Sequence, residues 1–155
     1  MKSLMWFRND LRMDDNPALR DACIESEEVH AIYIFSSRQN NLHNEANCKI
    51  EFLIENLKNL DIELSKINIP LTIIESNGFE DNTDIILSLI KKRSLNKIFW
   101  NNQFGNDEQK RDIQVTRSFK KNDIEFSTYH EKVIYPPGSI RTGEDKPYSV
   151  FTPFK

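Results

Sequence analysis

The densest run of residues able to do chemistry is Trp6-Phe7-Arg8-Asn9-Asp10-Leu11-Arg12-Met13-Asp14-Asp15-Asn16-Pro17. Arg8, Asp10, Arg12, Asp14 and Asp15 alternate in sign directly after the first apolar run. Taken singly, each reads as a salt-bridged loop residue, with Asp15 or Asn16 capping the helix that follows. Other constellations are missing. No GxGxxG follows the first apolar run, so the close backbone approach that a dinucleotide pyrophosphate needs is lacking, and no Walker loop is present to cradle a triphosphate. His30, His43 and His130 lie far apart without ligand spacing, which argues against a zinc site. Cys23 and Cys48 can form neither a disulfide framework nor a four-cysteine metal site. No serine-centred nucleophile elbow occurs. On the residues alone, this is an α/β ligand-binding domain with no assignable reaction.

The elements that must position these side chains follow from periodicity. Leu4–Phe7, Val29–Phe35, Leu71–Glu75, Lys97–Trp100 and Ile124–Phe126 read as strands. The middle runs are nearly continuous in Ile, Val and aromatics, as in strands covered on both faces. Between them lie four helices. Asn16-Pro17 gives the first a polar N-cap and a proline at its first position, with Ala18, Leu19, Ala22 and Cys23 on one side. The second runs from about Asn47 to Ile67, with Ile50, Leu53, Ile54, Leu57, Leu60 and Leu64 recurring at three and four. The third, about Asp81 to Lys92, carries Ile85, Ile86, Leu89 and Ile90. The fourth begins near Asn106, with Gln109 in a capping-box position and a thin stripe of Ile113, Val115 and Phe119.

This alternation predicts a five-stranded parallel, Rossmann-like open sheet with helices on both faces. Such sheets bind ligands beyond the carboxyl ends of their strands, which singles out the loops Arg8–Asp15, Ser36–Glu45, Ser76–Glu80 and Asn101–Asp107. A length of 155 residues suits one domain. A net charge of −3 speaks against gripping nucleic acid by its phosphates. The runs Lys91-Lys92-Arg93 and Lys120-Lys121 fall near predicted helix ends, where cations complement the dipole. Weak or absent DNA binding by this chain is therefore expected. No run approaches the roughly 18 apolar residues of a membrane span, and the opening residues lack a signal peptide's apolar core. A cytoplasmic location is expected.

From Tyr135 onward, YPPGSIRTGEDKPYSVFTPFK holds four of the six prolines and reads as an extended linker segment. It stops at Thr152-Pro153-Phe154-Lys155 with aromatics and no closing element, so a cut through a longer protein is expected. The predicted organisation is an α/β domain over 1–134 and a linker over 135–155.

Trp6-Phe7-Arg8-x-Asp10-Leu11-Arg12-x-x-Asp15-Asn16-Pro17-Ala18-Leu19 resembles the opening of the photolyase/cryptochrome family. Phe99-Trp100-Asn101-Asn102-Gln103-Phe104 followed by Arg111-Asp112 resembles the family's fourth-strand block. Pro136-Pro137-Gly138 and Lys146-Pro147-Tyr148-Ser149-Val150-Phe151-Thr152-Pro153-Phe154 resemble the stretch leaving its N-terminal domain. The resemblance spans Leu4 to Lys155, covers only the family's antenna domain, and is greatest to bacterial class I cyclobutane pyrimidine dimer photolyases.

The resemblance implies a light-harvesting domain of a DNA-repair lyase. Reduced FAD in a separate C-terminal helical domain would donate an electron to a pyrimidine dimer flipped out of damaged DNA. A second chromophore, often methenyltetrahydrofolate, would sit in the N-terminal domain. Because the family's second domain closes part of the cleft, weak or absent folate binding is expected of this chain alone and tight binding of the intact protein. The family's folate-contacting pair, Asn-Glu, falls on Asp107 and Glu108. Glu108 matches, whereas Asp107 offers an acceptor where an amide could also donate. His43 and Asn44 fall where the family places a chromophore-side histidine and asparagine. Each keeps a plain alternative: His43 as an exposed loop residue, and Glu108 as a first-turn glutamate favoured by the helix dipole. Arg8 and Asp10 are assigned to interdomain or loop structure. The full-length protein is expected to be monomeric and without a membrane association. Two other readings stand beside this one: the same domain of a cryptochrome photoreceptor, and a stand-alone nucleotide- or flavin-binding module. The Pro-rich tail and the motifs at both ends disfavour the module. The downstream flavin and dimer sites would separate repair from sensing.

Overall fold

The computed structural model describes residues 1–154, without the side chains of Asn40 and Pro153; the expected terminus at Lys155 lies outside the described residues. Five strands form one parallel sheet: β1 (Lys2–Phe7), β2 (Glu28–Ser36), β3 (Leu71–Ser76), β4 (Lys97–Asn101) and β5 (Glu125–Tyr129), in the order β3-β2-β1-β4-β5. Side chains alternate across it, because successive strand residues point to opposite faces. Met5, Phe7, Ala31, Tyr33 and Phe99 enter one core with α1 (Pro17–Glu25) and the C-terminal half of α3 (Asn47–Ser65). Leu4, Trp6, Ile32, Ile98 and Trp100 enter the other, with α4 (Asn82–Arg93) and α5 (Asn106–Lys121). The expected fold class is the one observed.

Local chemistry accounts for most boundaries. The Asn16 side chain accepts from the Leu19 N–H at 3.1 Å, with Pro17 opening α1. Helix α4 closes on Lys91-Lys92-Arg93 and a left-handed Ser94 at φ 53°. From His130 to Val150 there is no helix or strand, and Phe151–Phe154 forms a single final helical turn, α6, in a tail read from sequence as extended.

Other expectations need correction. Cys23 is exposed, since it lies about 100° round α1 from Ala22. On α3, Leu57, Leu60 and Leu64 are buried but Ile54 is 43% exposed, because the N-terminal half of the helix flanks a cleft rather than the sheet. Ile113 is half exposed; α5 buries Arg111, Val115 and Phe119 instead. The capping box at Asn106 and Gln109 does not form. The N-cap is Gly105, and Gln109 Nε2 donates to the Phe104 carbonyl at 2.8 Å. A Cβ at position 105 would meet the Glu108 carboxylate, which would have to swing aside. β3 is a sheet edge rather than a strand covered on both faces, with Ile73 exposed. A short helix, α2 (Ser37–Leu42), occupies part of the loop predicted after β2. β5 begins at Glu125 and runs to Tyr129, three residues past the predicted Phe126.

Replacing the buried Leu57 with alanine should cost about 2–5 kcal/mol in urea unfolding, from lost transfer energy and the residual cavity; a negligible change would contradict its packing on the sheet. Burial also pushes the Tyr33 phenol up to about 12. The neutral phenol is thus favoured in the fold. Its contribution is complete below the ordinary value of 10.0 and is lost as pH rises towards about 12. Over that window Tyr33→Phe should lose about 2–3 kcal/mol less stability than the parent chain, measured by denaturation across alkaline pH.

Candidate functional site

In the order β3-β2-β1-β4-β5 the chain connections diverge on either side of β1, so the crevice opens beyond the carboxyl ends of β1 and β4. A cleft of about 460 Å³ lies at these strand ends. Trp6, Arg8 and Tyr33 line it from the sheet, Ile50, Phe52 and Leu53 from α3, and Asn82, Glu108 and Arg111 from the helices of the opposite face. All four predicted loops lie at this end of the sheet.

The first loop is held by a buried polar knot. Asp10 accepts from the Arg8 backbone N–H at 2.7 Å and from Asn101 Nδ2 at 2.6 Å. Asn101 Nδ2 also donates to Asn16 Oδ1 at 2.8 Å, while Asn16 Nδ2 donates to the Arg12 carbonyl at 3.1 Å. Asp10, Asn16 and Asn101 are all buried, and a buried carboxylate is tolerated only with such donors. Asp10 is therefore structural, in line with the role assigned to it from sequence.

Arg8 does more than close a loop. It lies two residues after Trp6, on the same side of β1, and is buried. Its Nη1 donates to Asp112 Oδ2 at 2.7 Å, whereas Nε and Nη2 are buried without a partner. Asp112 Oδ1 in turn accepts from Arg111 Nε at 2.9 Å, and Arg111 Nη2 donates to Gln103 Oε1 at 2.9 Å. Burial, then repulsion from Arg111, pushes Arg8 down to about 9, partly offset by Asp112; the guanidinium stays charged at neutral pH.

The sequence-predicted residues divide. His43 caps the end of α2 and lines the cleft, and Glu108 in the first turn of α5 lines it too. Asp107, like Asn44, is not among the cleft residues; its Oδ2 stands at 3.8 Å from Nε2 of the cleft-lining His43 and its Oδ1 at 3.3 Å from Lys110 Nζ. The fold thus brings His43, Asp107 and Glu108 together from two distant loops. Asn44 is exposed, left-handed at φ 48°, and not among the cleft residues. Sequence reasoning missed Tyr33, Gln39, Asn82 and Arg111 as cleft residues. The two-residue spacing from Trp6 to Arg8 could have placed Arg8 there; nothing comparable marks Asn82.

Besides titratable groups such as His43, Glu45, Lys49 and Glu108, the cleft holds several orphaned polar atoms. Asn82 Oδ1 and Gln39 Oε1 line it, buried and unpartnered. With the Glu108 carboxylate they add acceptors to a lining that also holds the Arg8 and Arg111 guanidiniums and the apolar Ile50, Phe52 and Leu53. That set fits a flat heteroaromatic ligand carrying amino and ring N–H groups. No group of three or more His, Cys, Asp or Glu side chains able to hold a metal occurs among the described residues. No helix among them is long and apolar enough to cross a membrane.

Comparison with known proteins agrees with this geometry. The family described as DNA photolyase matches residues 3–155. The deoxyribodipyrimidine photo-lyase of Escherichia coli is 37% identical over 153 residues, covering 98% of this chain and 32% of that protein. The class III photolyase of Agrobacterium tumefaciens shares the fold at a TM-score of 0.78 and 22% identity, over 99% of this chain and 30% of its own. The archaeal photolyase of Sulfolobus tokodaii, solved with two FAD molecules, matches at a TM-score of 0.77 and 25% identity, over 92% of this chain and 32% of its own. The chain therefore spans about a third of the length of these relatives. On the match over nearly its whole length, this chain belongs to the DNA photolyase family.

Proposed function

We propose that this chain is the light-harvesting domain of a deoxyribodipyrimidine photolyase, a lyase that reverses cyclobutane pyrimidine dimers in DNA with an electron from photoexcited reduced FAD. The flavin and the flipped dimer belong to a helical domain outside residues 1–155, joined through the linker at 135–155. The observation that carries the reading is the cleft at the switch point of a family-matched sheet. It is sized for a ligand and lined with acceptors, aromatics and two buried arginines. A ligand there would supply absorption and excitation transfer, which need distance and orientation rather than proton transfer.

Methenyltetrahydrofolate is the chromophore this wall suits. Glu108 would accept paired hydrogen bonds from an aminopyrimidine edge, with His43 and Asp107 closing the rim. Asn44, outside the cleft, has no part in the binding set as now drawn. The second FAD described for the Sulfolobus tokodaii relative supports a second chromophore in this family. On this reading the longer protein acts in the cytoplasm as a monomer. The acidic balance favours weak DNA binding by residues 1–155 alone.

Two outcomes test this. Illuminated with dimer-containing DNA and added reduced FAD, the 155-residue chain should leave the dimers intact, while the longer protein should reverse them under light. A longer protein that responds to light without reversing dimers would be a cryptochrome instead. In the longer protein, Glu108→Ala should weaken methenyltetrahydrofolate binding about 10- to 100-fold, the scale of a lost charge-assisted hydrogen bond. Repair under direct flavin excitation should persist. Unchanged folate occupancy would make Glu108 an ordinary first-turn glutamate.

A further inference from the structure

Trp6 lines the cleft with two cations against its ring. The guanidinium carbon of Arg8 stands 3.9 Å from the ring centroid and that of Arg111 5.1 Å. Arg8 also stands 5.4 Å from the ring of Trp100. A single cation–π contact is common; two on one indole, both built from buried arginines, is a concentration of positive charge. Asp112 lies between Arg8 and Arg111 and accepts from both, and Asp10 also acts on Arg8, so the pair is countered overall; the charges in contact with the Trp6 ring are nonetheless the two guanidiniums.

Those two contacts bear on electron loss. An indole is the most easily oxidised side chain in such a wall, and a photoexcited heteroaromatic ligand is an electron acceptor. The competing step would move one electron from the Trp6 ring to the excited ligand, with no bond made or broken, leaving a positive charge on the indole. We propose that Arg8 and Arg111 guard Trp6 electrostatically, disfavouring its one-electron oxidation so that excitation in the cleft is not lost to the cleft's own wall. This rests on the light-harvesting reading above. Trp100 offers the charge no refuge. It stands 6.0 Å from Trp6 and within reach of Arg8, and its Nε1 is buried with no acceptor to take the proton that an oxidised indole sheds.

Trp6 can be probed without any chromophore. The sequence holds two tryptophans, so a Trp100→Phe background leaves Trp6 alone. Pulse radiolysis in azide solution then supplies a small one-electron oxidant, and the indolyl radical is followed by its absorbance. In that background Arg111→Met should speed Trp6 oxidation by roughly tenfold or more, as expected for removing a charge about 5 Å away at an intermediate dielectric. Arg111→Lys should restore the slow rate. Asp112→Asn, which removes the counter-charge, should slow oxidation further. A merely structural role predicts the opposite, because loosening the site would speed oxidation in both variants. Rates that rise in Asp112→Asn, or do not change in a folded Arg111→Met chain, overturn the proposal. If Arg111→Met does not fold, Asp112→Asn alone decides. Methenyltetrahydrofolate binding is measured separately by equilibrium dialysis. If both rate changes appear but the longer protein binds no folate, the guard is upheld while the choice of chromophore fails.

Discussion

Everything at the carboxyl end of the sheet hangs on the Asp10 carboxylate being buried and satisfied. Two adjacent central strands, β1 and β4, end there, and their loops must leave in opposite directions without stranding polar groups. Asp10 meets this by accepting from the backbone of one strand's exit and the side chain of the other's final residue, Asn101. Asn16 completes the knot while capping α1. One small network thus sets the path of the first loop, the start of the first helix, and the direction in which Arg8 leaves β1. A change at Asp10 would disturb all three, since their donors would be left buried and unpaired.

The cleft follows from that fixed exit and from an overhang. Helix α3 packs on the sheet through Leu57, Leu60 and Leu64, and its earlier turns continue past the strand ends. Ile50, Phe52 and Leu53 therefore face a space instead of a core. On the other side, α5 starts at a glycine whose missing Cβ makes room for the Glu108 carboxylate. The resulting walls differ in kind, one apolar and one polar. Such a site can orient a planar ligand, and it needs no general base to do so.

The fold was largely legible in the sequence, because runs of Ile, Val and aromatics alternate with periodic helices and each carries its own boundary signals. Asn16-Pro17 marked α1, and the basic run at 91–93 marked the end of α4. What failed has two causes. Ile54 lies on the half of α3 that runs past the sheet, whereas Ile113 and Cys23 sit beside the buried stripes of α5 and α1 rather than in them. A periodic pattern fixes neither where a helix's cover ends nor which neighbouring row of apolar residues it covers. For the site, the family motifs brought Glu108, Asp107 and His43 to one rim, although the same motifs also named Asn44, which points elsewhere. Gln39 lay within the loop singled out after β2, but the unsatisfied acceptors of Gln39 and Asn82 are a property of the folded surroundings alone.

The edge at β3 has a consequence for handling this protein. Its outer side offers an open row of backbone donors and acceptors, and Ile73 adds an apolar contact there. Such a strand can template an intermolecular ladder when chains are crowded. Glu75, exposed two residues on from Ile73 and so on the same side of the strand, is the charge that opposes register-matched stacking. In concentrated solution, self-association of this domain should therefore begin along β3.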